Sequence, residues 1–334
     1  MIARPPQLDL FERLIPPKGK VCSQSLEYWD LLPKFVFGPI VDPDTGVGIL
    51  DPRNVRYLPT QRRTCIIDNQ LVTVEIAPAR LKDTKGVERD FFPGLREQMV
   101  EQAIRRIAID QHRTTESSHA CHGRLLGTHF TLGEVCSDLA RQNHTYSWAQ
   151  VRHALRICNM ATITLDMGGG TSLLSSAIFP VTVVPSTSDR RAMVQFHVLV
   201  TQAVDALLFR QIDYEVSMRL RSAAARWLHR RMTHRYRQAS HHDDGYNIRA
   251  STIIRDSGLF TTSDKTKCRY QLAAVDAVMD DLRSAGVLMT RLPDGWRKEI
   301  WEGRKKVDIK YLLRPSSDFI ESQKLANLAG AGRI

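Results

Sequence analysis

The stretch His129-Phe130-Thr131-Leu132-Gly133-Glu134-Val135-Cys136-Ser137-Asp138-Leu139-Ala140-Arg141-Gln142-Asn143-His144-Thr145-Tyr146-Ser147-Trp148-Ala149-Gln150-Val151-Arg152-His153-Ala154-Leu155-Arg156-Ile157-Cys158 decides how this chain folds. Leu132, Val135, Cys136 and Leu139 recur at helical spacing, and Thr131 stands where an N-cap hydroxyl accepts an orphan amide. Gln142-Asn143-His144-Thr145 makes a polar turn. A second helix from about Ser147 to Cys158 sets Trp148, Val151, Leu155 and Cys158 on one face. Strand-like runs follow at residues 161–166, 172–184 and 193–200, with Met167-Gly168-Gly169-Gly170-Thr171 as the first turn. Helix, turn, helix and then β-hairpin is the order of a winged helix-turn-helix.

The same order recurs downstream. Residues 223–238 read as a helix carrying Trp227, Leu228, Arg230, Arg231, Arg235 and Arg237; a strand at 246–249 and a small helix with Ile253 and Ile254, ending at Ser257-Gly258, come next. After the polar turn Thr261-Thr262-Ser263-Asp264, a long helix buries Leu272, Val275, Met279 and Leu282 until Gly286 stops it. Val287-Leu288-Met289 begins a strand that returns at 307–313, and the loop 293–306 between them has the length of a wing. Both long helices therefore place apolar residues at i, i+3, i+7 and i+10 and both feed a hairpin.

Working outward, residues 64–77 read as a hairpin turning at Asn69-Gln70, and Pro93-Gly94 opens a helix with Leu95, Met99, Ile104, Ile107 and Ala108 on its apolar face. Residues 111–127 are polar and mixed and read as a loop. Prolines 5, 6, 16, 17, 33, 39, 43 and 52 remove donors and fix φ, which predicts an extended, partly disordered N-terminal arm; within it Tyr28-Trp29-Asp30-Leu31-Leu32 is able to dock on the body or on a partner. The expected architecture is α+β: two tandem winged helix-turn-helix domains with a Pro-rich arm at 1–60, a first domain at 61–205, a second at 206–315 and a frayed tail at 316–334.

Among 334 residues, 47 Lys and Arg face 36 acids, a formal charge of +11 that favours a polyanion as partner, because each cation placed on a phosphate releases condensed counterions. Hydrophobic residues at 43% and charged residues at 25% are ordinary for a soluble globular protein. No apolar run approaches the length of a membrane span and residues 1–17 lack a signal-peptide core, so a cytoplasmic location is expected. The six cysteines are scattered without a C-x-x-C pair and are expected to be reduced. There is no G-x-x-x-x-G-K-[ST] phosphate loop, no pair of histidines one residue apart for a rolling-circle nuclease, and no Ser/His or paired-carboxylate constellation. His119, Cys121, His122 and His129 are too irregularly spaced for a zinc knuckle. The sequence predicts no catalysis, no metal and no cofactor.

A helix in the major groove needs one face on its own core and the other free for base edges and phosphates. In the first domain that free face holds Gln150, Arg152, His153 and Arg156, with Tyr146 and Ser147 at its entrance. In the second domain the long helix starts with Lys265, Thr266, Lys267, Arg269 and Tyr270 and turns acidic at Asp276, Asp280 and Asp281, a polarity that suits insertion by its N-terminal end. The wing bases Arg297, Lys298, Arg304, Lys305 and Lys306 are placed to hold phosphates or probe the minor groove. The Arg-rich helix at 226–237 either lies along the DNA backbone or solvates one face.

Several of these runs resemble one family. His129-Phe130-Thr131-Leu132-Gly133-Glu134-Val135-Cys136-Ser137-Asp138-Leu139 is similar to the first helix of the TrfA-type (RepA-like) plasmid replication initiators. Leu220-Arg221-Ser222-Ala223-Ala224-Ala225-Arg226-Trp227-Leu228 resembles their second-domain entry helix. Ser263-Asp264-Lys265-Thr266-Lys267 and Asp280-Asp281-Leu282-Arg283-Ser284-Ala285-Gly286-Val287 resemble their second recognition helix and its exit. The resemblance implies an initiator that binds double-stranded DNA repeats (iterons) at a plasmid origin, helps open an AT-rich neighbour, and recruits the host replication initiator and replicative helicase. It also implies a homodimer in equilibrium with a monomer and a role in copy control. Two other readings fit the residues: a winged-helix transcriptional regulator repressing its own gene, and a protein-interaction module built on the same fold.

Overall fold

The computed structural model describes residues 22–37, 40–41, 48–49, 57–82, 86–110, 114–119, 123–167, 173–185, 190–206, 209–236, 245–258, 265–291 and 294–331. Short strands in small sheets interleave with helices, so the chain is α+β. It divides into two compact units, the first within Pro33–Phe209 and the second within Ile15–Leu32 and Arg210–Ile334. The first described elements, β1 (Cys22–Leu26) and α1 (Glu27–Asp30), belong to the second unit.

In the first unit β2 (Ile40–Val41) and β3 (Gly48–Ile49) form a short ladder. Next comes a hairpin of β4 (Gln61–Ile67) and β5 (Gln70–Ala77), whose alternating residues Cys65, Ile67, Val72, Val74 and Ile76 are buried. Its turn is Asp68-Asn69, one residue earlier than the sequence suggests, and both carry positive φ (48° and 62°). Asp and Asn tolerate that left-handed geometry, which matches strand twist in a two-residue turn. A second hairpin, β6 (Ala79–Lys82) with β7 (Glu88–Phe91), leads into α2 (Leu95–Asp110). Residues 111–127, expected to be a loop, instead contain β8 (Thr114–His119) and most of β9 (Gly123–Phe130). Periodicity missed β8 because it is an edge strand: the sheet order is β12-β13-β9-β8, so its polar residues follow no apolar alternation.

The helix-turn-helix forms as expected, as α3 (Leu132–Arg141) and α4 (Trp148–Met160). Each opens with a reciprocal capping box. The Thr131 hydroxyl accepts from Glu134 N at 3.1 Å while Glu134 Oε2 accepts from Thr131 N at 2.6 Å. Ser147 and Gln150 repeat the device at 3.3 and 2.8 Å. Val135, Leu139, Val151, Leu155 and Cys158 are buried where α2, α3 and α4 pack on one another. Trp148 departs from expectation, since α4's first turn leaves it 47% exposed.

The wing strands are β10 (Thr162–Asp166) and β11 (Leu173–Ala177), extended on β10's other side by β5 and β4. The Gly168-Gly169-Gly170 turn between them lies outside the described residues. The expected strand at 172–184 breaks at Pro180, which has no donor to continue a ladder, leaving β12 (Thr182–Val183) as a separate piece. The run 193–200 divides into β13 (Ala192–Gln195) and α5 (Val198–Asp205), the latter started by His197, whose Nδ1 accepts from Leu199 N at 3.2 Å. Here burial on a helical period outweighs the β preference of Val198 and Val200.

In the second unit β14 (Phe209–Asp213) pairs with β1, and α6 (Tyr214–Arg219) leads into α7 (Ala223–Arg235), capped by Ser222. Then follow β15 (Tyr246–Arg249), α8 (Ala250–Ser257), α9 (Lys265–Ser284) and the hairpin β16 (Arg297–Glu302) and β17 (Lys305–Leu313), in a three-stranded sheet ordered β15-β17-β16. The wing strand expected at 287–289 is only a single bridge, Leu288 to Pro315, whereas the expected loop holds β16. The charges of Arg297-Lys298-Glu299 conceal that strand, and the turn itself is tight, with Gly303 at φ +59°. The tail is not frayed: α10 (Ser317–Ala331) is capped by the Ser316 hydroxyl, and Phe319 packs edge-on against His229 and Tyr236.

Part of the expected N-terminal arm is core. Residues 22–32 contain no proline, and Leu26, Trp29, Leu31 and Leu32 are buried. The Trp227 indole donates to Leu31 O at 3.1 Å, Ser25 Oγ lies 3.0 Å from His234 Nε2, and Arg230 faces Asp30 at 4.0 Å. The Arg-rich helix is likewise not a solvated face, because Arg226 and Arg230 are buried and Arg226 donates to Leu220 O. Trp29→Ala is expected to destabilise this unit by about 3–5 kcal/mol in urea unfolding; a loss below about 1 kcal/mol would make the segment peripheral.

Burial, reinforced by the Arg230 charge, pushes the His229 imidazole down to about 3. The unfolded chain, with an ordinary histidine near 6.5, then binds more protons than the native one between those values. Stability is therefore complete above about pH 6.5 and is lost as pH falls toward 3, at up to about 1.4 kcal/mol per pH unit. His229→Phe should flatten that slope by about one proton; an unchanged slope in pH-dependent urea titrations would mean that His229 titrates alike in both states.

Candidate nucleic-acid interface

In the first unit, the outer side of α4 is where the sequence placed Gln150, Arg152, His153 and Arg156, but the fold gives them different tasks. Arg156 is exposed. Gln150 is exposed too, yet its carbonyl oxygen accepts Ser147 N in the capping box. Bidentate adenine recognition needs that same oxygen, so capping and base reading compete for it. Arg152 is partly buried and donates to Pro185 O at 3.2 Å. His153 does not belong to the outer face: Arg96 donates to its Nδ1 at 2.9 Å and Phe91 meets it edge-on at 5.0 Å. Burial, with the Arg96 charge, lowers its basicity, leaving a neutral imidazole held between α4 and the start of α2. At 3.6 residues per turn His153 stands about 200° round the helix from Val151, so spacing alone puts it outside. The β6–β7 hairpin covers that second side, and Ile157, one turn on, is buried against Ala79 and Leu81. Trp148 joins Gln150 and Arg156 outside, an aromatic group the sequence had assigned to the core.

In the second unit α9 buries Leu272, Val275, Met279 and Leu282 as expected. Lys265, Thr266, Lys267 and Arg269 lie on its first turns, with their side chains outside the described residues, and Tyr270 is 73% exposed. The acids farther along are not a repulsive patch, because each has an internal partner. Asp281 Oδ2 accepts from Arg221 N and Ser222 N, at 2.9 and 3.0 Å, at the start of α7. Asp280 is paired with Arg283.

Asp276 is the anchor of the wing. Arg297 on β16 binds it through two bonds, Nε to Oδ1 at 2.8 Å and Nη2 to Oδ2 at 3.0 Å, and the Tyr311 hydroxyl of β17 donates to Oδ1 at 2.7 Å. Burial alone would raise the Asp276 carboxyl, but the Arg297 and Tyr311 bonds hold it below the ordinary range. The Asp276 bond raises the Arg297 guanidinium, and burial followed by that same carboxylate raises the Tyr311 phenol. Glu299 takes Arg297 Nη1 at 2.9 Å and Lys306 Nζ at 3.0 Å. Of the two bases expected to contact phosphate, Arg297 thus fastens the wing to α9 and Lys306 ties the two wing strands through Glu299. Lys298, Arg304 and Lys305 remain exposed, joined near the tip by Trp301 at 55% exposure, a residue that sequence reasoning missed inside a charged run.

Among the described residues no group of His, Cys, Asp and Glu is arranged to hold a metal, and no helix is long and apolar enough to cross a membrane. Cys121 and His122 of the irregular cluster lie outside the described residues.

No family model matches the chain, and no curated protein does. Solved structures of domains 2 and 3 of RctB are similar to it: one at 11% identity and a TM-score of 0.45, covering 79% of this chain and 94% of that one. A second structure, of RctB domains 2-3, aligns at 10% identity and a TM-score of 0.44, over 86% and 98%.

Arg297→Ala should cost about 1–3 kcal/mol by leaving the half-buried Asp276 carboxylate one partner short. Arg297→Lys should recover little of it, since an ammonium cannot make the two parallel bonds. Thermal unfolding of the two variants checks this, and full recovery by lysine would reduce the clamp to simple charge.

Proposed function

We propose that the chain is a plasmid replication initiator that binds double-stranded DNA repeats at its origin through two winged helix-turn-helix units. The observation that carries this is the repetition, within one chain of net charge +11, of a helix-turn-helix followed by an antiparallel wing. Each copy contains a second helix that buries its apolar face; α4 keeps Gln150 and Arg156 outward, and α9 begins with a basic run in sequence, as major-groove insertion requires. The three runs that resemble TrfA-type initiators include residues of α3, of α7 and of the start and end of α9, which supports the reading.

In this reading α4 presents Arg156, Gln150 and Trp148, with Arg152 beside them, and α9 inserts the end bearing Lys265, Thr266, Lys267, Arg269 and Tyr270. The wing of the second unit adds Lys298, Arg304 and Lys305. The protein acts by binding and deforming DNA, which eases opening of a neighbouring deformable stretch, and no bond is made or broken. The host replication initiator, the replicative helicase and a monomer–dimer equilibrium controlling copy number follow as parts of the same proposal, with the cytoplasm as its location.

Footprinting on the DNA flanking the gene, at near-physiological salt with competitor, should protect regularly spaced repeats, and a plasmid carrying them should replicate when the protein is supplied in trans. A single protected palindrome without origin activity would make the chain an autorepressor. No protection at all would end the DNA-binding reading. Alanine at both Lys267 and Arg269, or at Arg156, should weaken specific binding by about 1–3 kcal/mol for each base that is no longer read.

A further inference from the structure

The exposed face of the second unit's sheet carries a row of three cations, two of which the wing and recognition helix do not account for. In the ladder register Arg249 of β15 stands opposite Lys310 of β17, and Lys310 stands opposite Lys298 of β16. Directly opposed residues share a face, so the three side chains form one line across all three strands. Ile248 and Tyr311, their neighbours in sequence, point the other way into the core, and all three cations are exposed. Neighbouring strands lie about 4.8 Å apart, so the row extends about 10 Å, with Lys310 flanked by a cation on either side.

Like charges directly opposed across strands oppose sheet formation. The same sheet avoids this elsewhere: Glu302 is opposed to Lys305, and Glu299 lies between Arg297 and Lys306. Among the described residues none of the three cations has an acidic partner. Asp308, the acid two positions before Lys310, is buried and occupied, accepting Ser251 N at 3.0 Å and Ser251 Oγ at 2.7 Å at the start of α8. Because Asp308 performs that cap, Arg249 holds the N-cap position of α8 without using its side chain. A sheet that pairs its neighbouring charges and leaves this row unpaired is arranged for an external anion with several regularly spaced charges.

We propose that Arg249, Lys310 and Lys298 form a phosphate-backbone track for duplex DNA, separate from the base-reading helix. The proposal rests on the reading of the chain as a duplex-DNA binder. A track of this kind positions the duplex and adds affinity without sequence preference. Lys298, expected from the sequence to act as a wing residue, belongs to this row, while Arg249 and Lys310 join it only through the register.

The test is the salt dependence of binding by the full chain to a mixed-sequence DNA duplex, comparing wild type with R249Q/K298Q/K310Q. The slope of log affinity against log salt should fall by about 0.9 for each phosphate no longer neutralised, nearly 3 for the triple variant. The thermal midpoint should hold or rise, since opposed like charges are removed. Lys310→Gln alone, which removes only the central charge, should lower the slope by about 0.9 and guards against a misfolded triple variant. An unchanged slope in folded variants, with wild type binding steeply salt-dependent, would overturn the track and leave the DNA-binding reading intact. Wild-type protein that shows no salt-dependent duplex binding would overturn both.

Discussion

The carboxylate of Asp276 fixes the wing of the second unit to its long helix. It sits on α9, the helix whose apolar face makes the core, and binds the guanidinium of β16 and the phenol of β17 together. Helix and wing are consecutive in sequence, separated by the segment between Ser284 and Arg297. A planar two-bond contact fixes distance and angle at once, which one ammonium at the same place would not. The relation of helix to wing is therefore set by side-chain geometry as well as by the chain that connects them.

The first unit reaches the same end by other means. Its wing strand β10 is pinned from outside by β5, so the β4–β5 hairpin performs the work that a side-chain clamp performs in the second unit. Its helices are tied by the buried ion pair of Arg106 on α2 with Asp138 on α3, where Arg141 also reaches the carboxylate, and each helix start is closed by a capping box. Breaking a buried pair of that sort leaves an uncompensated charge. The cost of such fixing appears in Gln150, whose carbonyl oxygen is committed to the cap.

Much of this order was legible in the residues. Helices α3, α4 and α9 followed from apolar spacing, Thr131 from its place before that spacing, and β15 from Tyr246-Asn247-Ile248-Arg249 ahead of a small helix. What escaped had a common physical cause, in that local composition was set against a tertiary partner. β8 is polar because an edge strand need bury nothing on a fixed face. β16 is charged because Arg297 and Glu299 face a carboxylate and an ammonium rather than an apolar core. Residues 22–32 follow prolines but have none themselves, and their burial depends on α7, some two hundred positions away in sequence, as the Trp227–Leu31 bond shows. For the candidate site, spacing located the helices themselves and misjudged individual side chains, since only about 60° of rotation separates the outward Arg156 from the inward His153.

Those misjudged side chains change how the net charge should be understood. A surplus of +11 counts every guanidinium equally, yet Arg226 and Arg230 are buried, Arg231 is taken by Asp256 and Tyr246, and Arg297 by Asp276 and Glu299. The acids are spent in the same way: Asp138, Asp256, Asp276, Asp281 and Asp308 all serve internal partners. Internal pairing consumes both signs together and so leaves the surplus on the surface, on Arg156, Arg249, Lys298, Arg304, Lys305 and Lys310 among others. Four of these belong to one hairpin of the second unit, and a field concentrated on one hairpin steers a polyanion toward it far more effectively than the same charge spread evenly. It is thus the internal use of acids, as much as the number of bases, that leaves the outer surface its positive charge.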